Sequence, residues 1–93
     1  MSTTFNDTYR SKKGKHYFKF RFVPTGGVYD VYCDSHPGFN GKDNSPRKTH
    51  LFHSGKLCFQ KGKEPRTPKR ARELAGQWAE YMAEYRRTGI AQY

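Results

Sequence analysis

Branched aliphatic residues are scarce in this 93-residue chain: isoleucine occurs once, at Ile90, and valine only at Val23, Val28 and Val31. With 33% hydrophobic residues there is material for one small core. Seven Phe, seven Tyr and one Trp must supply much of it. No stretch approaches the roughly eighteen continuous apolar residues that cross a bilayer. The opening Met-Ser-Thr-Thr-Phe-Asn-Asp has no apolar signal-peptide centre. These absences predict a soluble, cytoplasmic protein with no membrane partner. Cysteine is limited to Cys33 and Cys58, without paired CxxC knuckles. In a reducing compartment the two read as free thiols rather than as a disulfide.

Acidic residues are also few, 8 against 18 Lys and Arg, leaving a formal net charge of +10. The imbalance is local. Residues 10–21 hold Arg10, Lys12, Lys13, Lys15, Lys19 and Arg21 with no acid, and residues 61–72 hold Lys61, Lys63, Arg66, Lys69, Arg70 and Arg72 against Glu64 alone. Such segments are either solvated, mobile stretches or a surface for a polyanion such as nucleic acid.

Along the chain, residues 1–15 are polar, basic and without periodicity, and read as a flexible tail. From His16 a period of two sets Phe18, Phe20 and Phe22 against Lys19 and Arg21, which predicts a half-buried strand over 16–23. Pro24-Thr25-Gly26-Gly27 is turn chemistry, and residues 28–33 return with Tyr29, Val31 and Cys33 towards the core. Residues 34–49 and 60–66 read as polar connections. Thr67-Pro68 opens a helix over 68–87, with Ala71, Leu74, Ala75, Trp78, Tyr81, Met82 and Tyr85 forming an apolar stripe. Arg86, Arg87 and Gly89 mark its end. The expected architecture is α+β, an antiparallel meander of about four strands under one C-terminal helix. It occupies a single domain over 16–89, with 90–93 as a short tail.

The densest chemistry lies in His50-Leu-Phe-His-Ser-Gly-Lys-Leu-Cys58-Phe59. Ser54-Gly55 is a tight turn between two short extended runs, 50–53 and 56–59, so strand pairing brings a histidine near Cys58. A cysteine reacts as thiolate, and imidazole or lysine charge favours that form, which singles out Cys58, His50, His53 and Lys56.

This motif, followed after a polar gap by Ala71, Leu74, Ala75 and then Trp78-Ala-Glu-Tyr-Met-Ala-Glu-Tyr85-Arg-Arg-Thr-Gly89, resembles the bacterial E2-like domains. These are relatives of ubiquitin-conjugating enzymes found in CBASS antiphage systems built around a cGAS-like nucleotidyltransferase. The resemblance covers residues 16–89 loosely and 49–59 with 71–89 most closely. It implies a meander-plus-helix fold, a thioester carried on Cys58 with His50 as the motif histidine, and as partners an E1-like activating protein and a conjugated protein. Where ubiquitin-conjugating enzymes usually read His-Pro-Asn, His50 is followed by Leu51 and Phe52.

Other readings use the same residues or their neighbours. Cys33-x2-His36, His50-x2-His53 and Cys58 supply five candidate ligands from which a structural zinc site would take four, although no cofactor is otherwise expected. A sheet presenting Lys19 and Arg21 between Tyr17 and Tyr32, flanked by Lys61, Lys63, Arg66, Lys69 and Arg70, would bind nucleic acid weakly, through charge and stacking. A third role is that of a non-catalytic E2-fold binding protein.

Overall fold

Phenylalanine and cation alternate along residues 18–22, and the backbone follows that period in the computed structural model, which describes residues 3–12, 14–42, 45–52 and 54–90. Strand β2 (Tyr17–Thr25) buries Phe18, Phe20 and Phe22 and leaves Tyr17, Lys19 and Arg21 on its outer side. Gly26 and Gly27, at φ 59° and 87°, turn the chain into β3 (Val28–Ser35), which buries Tyr29, Val31 and Cys33. The register sets Phe22 opposite Val31 and Phe20 opposite Cys33, so both strands present one apolar face. β2 outlasts its expected end through Pro24, which has no N–H to give its neighbour. The Tyr29 N–H across from it points away from β2 and donates to the Pro65 carbonyl, 2.8 Å away.

The 1–15 segment read as a tail contains a strand. β1 (Phe5–Arg10) pairs antiparallel with β2 along its whole length, giving a three-stranded sheet in the order β1-β2-β3. Only Phe5 and Tyr9 mark it as apolar, because an edge strand over the rim of a core has little to bury. Long-range contacts hold it instead. Phe5 stacks on Phe22 with ring centroids 4.6 Å apart, Asp7 pairs with Arg72 at 3.1 Å, and the Tyr9 hydroxyl donates to Glu80.

The helix, α2 (Pro68–Thr88), follows its sequence signals. The Thr67 hydroxyl accepts the Arg70 N–H, Pro68 opens the first turn, and Gly89 closes the end in the left-handed conformation, donating its N–H to the Tyr85 carbonyl at 2.7 Å. Ala71, Ala75, Trp78, Met82 and Tyr85 enter the core as the stripe predicts, joined by Ala79 and Ala83. Trp78 stands edge-on to Phe18 and Phe20, at 5.9 and 6.0 Å. Two members of the stripe depart from it: Leu74 is half-buried and Tyr81 is 39% exposed. Gly76 faces β1, and a Cβ there would lie 3.0 Å from the Tyr9 ring.

Of the predicted connection 34–49, the first two residues continue β3 to Ser35, and among the described residues that follow there is one helical turn, α1 (Pro46–Thr49). The predicted strands at 50–53 and 56–59 reduce to isolated bridges, Leu51 to Leu57 and Tyr32 to Lys56. The physical reason lies in how the hairpin's second arm uses its backbone. Cys33 donates to the Gly55 carbonyl at 2.7 Å and Leu57 to that of Val31 at 2.8 Å, so this arm is a fragmentary fourth strand on β3. Gly55 makes the approach feasible. Its φ is 91°, and a Cβ there would lie 3.3 Å from the Cys33 carbonyl oxygen.

Candidate functional site

The two thiols have opposite surroundings. Cys33 is in the core, where burial pushes its thiol up to about 12, and its Sγ donates to the Ser35 carbonyl at 3.3 Å. Cys58 is free and exposed. The difference follows from the hairpin's alternation. Leu57 points into the core at 1% exposure, so its neighbour Cys58 emerges on the outside.

His50 lies directly across the hairpin from Cys58: the Leu51 to Leu57 bridge sets that register, and the Cys58 N–H donates to the His50 carbonyl at 2.7 Å. His50 holds a φ of 56°, left-handed backbone that costs a non-glycine residue about 1 kcal/mol or more and that histidine adopts more readily than most. It sits there because α1 ends one residue earlier and the chain must reverse into the hairpin. Thr49 fixes that reversal. It is fully buried, its hydroxyl donates to the Ser45 carbonyl at 3.1 Å and accepts the Leu51 N–H at 3.3 Å, and its carbonyl accepts the Trp78 indole N–H at 2.7 Å.

His50, Cys58 and Phe59 form one wall of a cleft of about 280 Å³; Leu74, Trp78 and Tyr81 of α2 form the other. Here the two departures from the helical stripe find their place: Leu74 and Tyr81 line the space beside the exposed thiol. Spacing alone assigns them to the core, and what marks them out is their position at the margin of the stripe. A wider and more open depression of about 900 Å³, between residues 33–42 and 51–55, takes in neither His50 nor Cys58.

The remaining predicted residues do not join this site. His53 lies outside the described residues. Lys56 is drawn to Asp30 at 3.5 Å, which removes it as a dedicated charge for Cys58. Among the described residues no three His, Cys, Asp or Glu side chains assemble a metal site. Of the five candidate ligands, Cys33 is committed to the core. The His36 ring, with Nδ1 2.8 Å from the Pro37 carbonyl, packs 5.0 Å from Phe39. The polyanion candidates divide between layers. Lys19 and Arg21 lie on the outer sheet face, whereas Lys61, Lys63 and Arg66 belong to the exposed connection and Lys69 and Arg70 to the start of α2. No helix among the described residues is long and apolar enough to cross a membrane.

No protein-family model, curated protein or solved structure matches the chain.

Proposed function

We propose that the chain carries an acyl group on Cys58 as a thioester, acting as an E2-like conjugation protein in a bacterial defence or modification system. The observation that supports this reading is an exposed thiol directly across a short hairpin from a histidine, both facing one cleft with an apolar helical wall. A thioester carrier needs a thiol within reach of a large donor, a proton acceptor beside it, and a surface against which the acyl chain can lie.

The chemistry is a balanced exchange. The donor is a protein whose C-terminal carboxyl is held as a thioester by an E1-like activating protein. The Cys58 sulfur attacks that carbonyl carbon, a new carbon–sulfur bond forms as the old one breaks, and the departing sulfur takes up the proton that Cys58 releases, relayed by His50. An amine on the acceptor then displaces the Cys58 thiol, giving an amide. No oxidant, reductant or metal enters either step. With Leu51-Phe52 where an asparagine would otherwise offer an amide to the developing oxyanion, the second step is expected to be slow.

The test is incubation of the folded protein with a synthetic peptide thioester, read by intact-mass and peptide mass spectrometry. The expected product is a single hydroxylamine-labile adduct on Cys58, absent from Cys58→Ser and formed more slowly in His50→Gly. No adduct on Cys58 in folded protein, or equal labelling of both cysteines, overturns the reading.

A further inference from the structure

The outer face of the sheet contributes no residue to the cleft beside Cys58. By alternation it carries Arg10 of β1, Tyr17, Lys19 and Arg21 of β2, and Tyr32 of β3, with Lys56 bridged alongside. The register aligns them in rows: Arg10 opposite Tyr17, and Arg21 opposite Tyr32, which in turn pairs with Lys56. Each ring carries a guanidinium, Arg10 at 5.9 Å from the Tyr17 centroid and Arg21 at 4.4 Å from that of Tyr32. Tyr17 is 60% exposed.

Two acids share the face and both are engaged, Asp34 with Arg21 at 3.2 Å and Asp30 with Lys56 at 3.5 Å. Among the described residues the ion pairs engage Arg21, Lys56, Arg70, Arg72 and Arg87, and neither Arg10 nor Lys19 has an acidic partner. α2 covers only the opposite side of the sheet, through Trp78 on Phe18 and Phe20. We infer that this face binds single-stranded nucleic acid, with Arg10 and Lys19 on phosphates and bases stacked on Tyr17 and on the Arg21–Tyr32 pair. The charge calls for a polyanion. The rings, and the planar guanidinium lying over Tyr32, select unpaired bases, because a duplex keeps its base faces stacked inside. β2 gives the strand a track of roughly 26 Å from Tyr17 to Thr25 at about 3.3 Å per residue.

Fluorescence anisotropy with mixed-sequence single-stranded RNA and DNA, the matching duplex and anionic phospholipid vesicles tests the inference at 50 and 200 mM salt. Both single strands should bind more tightly than duplex. The Arg10→Ala/Lys19→Ala protein should lower the salt slope by about 2. Tyr17→Ala should weaken binding by roughly 5- to 150-fold, the range for loss of one stacked base. Lys48→Ala, at an exposed position of α1 off this face, serves as the charge control and should leave the slope unchanged. A stronger response to RNA than to DNA would mean that the 2′-hydroxyl is read on the same face. Preference for duplex, binding to vesicles alone, or loss only on substituting Lys61, Lys63 and Lys69 overturns the inference. Because the assay needs no thiol chemistry, its failure and that of the thioester reading are separately visible.

Discussion

Trp78 donates its indole N–H to the carbonyl oxygen of Thr49 across 2.7 Å, inside the core and 29 residues away in the chain. The residue after that carbonyl is His50, so the largest ring of the helix sets the backbone from which the site histidine projects. Trp78→Phe keeps most of the packing but leaves the Thr49 carbonyl without its donor, at an expected cost of about 1–3 kcal/mol. Trp78→Ala should cost about 3–5 kcal/mol. Denaturant unfolding measures both, and a Trp78→Phe loss near zero would mean that the hydrogen bond contributes little.

Alkylation should separate the thiols. In the native protein near neutral pH, iodoacetamide should label Cys58, and Cys33 only after unfolding, because Cys58 is exposed and Cys33 is buried. Peptide mass spectrometry identifies the labelled residue, and early labelling of Cys33 would show that the β3 edge opens.

At His50 the backbone and the side chain make separable demands. Gly relieves the left-handed conformation at φ 56° while removing the imidazole, and a β-branched residue aggravates it. His50→Gly should therefore stay within about 1 kcal/mol of wild-type stability, and His50→Val should lose about 1–3 kcal/mol. Thermal melts rank the variants. Both should react slowly with a peptide thioester, so reactivity following stability instead would assign His50 a structural role alone.

Stability should fall at alkaline pH. Burial, then the Glu80 hydrogen bond and charge, push the Tyr9 hydroxyl from 10.0 up to about 12, and burial foremost pushes the Cys33 thiol from 9.0 up to about 12. Both pKa values are raised in the folded state, so above pH 9 the unfolded chain releases protons that the native protein retains. The stabilisation is complete below that point and is lost as pH rises to about 12. Cys33→Ala should flatten the decline from its onset, and Tyr9→Phe the part above pH 10. Denaturant midpoints between pH 8 and 11 provide the check, and unchanged slopes in both variants would refute the assignment.

The sequence by itself determined the elements that carry their own periodicity or punctuation. Phe18, Phe20 and Phe22 define β2 because a two-residue period has one buried side, and Thr67-Pro68 with Gly89 bounds α2 because caps satisfy the backbone groups a helix leaves open at its ends. The spacing from His50 through Ser54-Gly55 to Cys58 likewise implied that a turn brings histidine and thiol together. Only the tertiary structure decided what depends on distant partners. β1 exists because Phe5 and Tyr9 find Phe22 and Glu80, contacts that no local pattern encodes. Leu57, seated in the core beside β3, turns Cys58 outward, whereas the inward side of Cys33 already followed from its alternation with Tyr29 and Val31. Leu74 and Tyr81 leave the helical stripe for the cleft because a small sheet cannot cover the full width of a 21-residue helix. The unburied margin therefore falls beside Cys58.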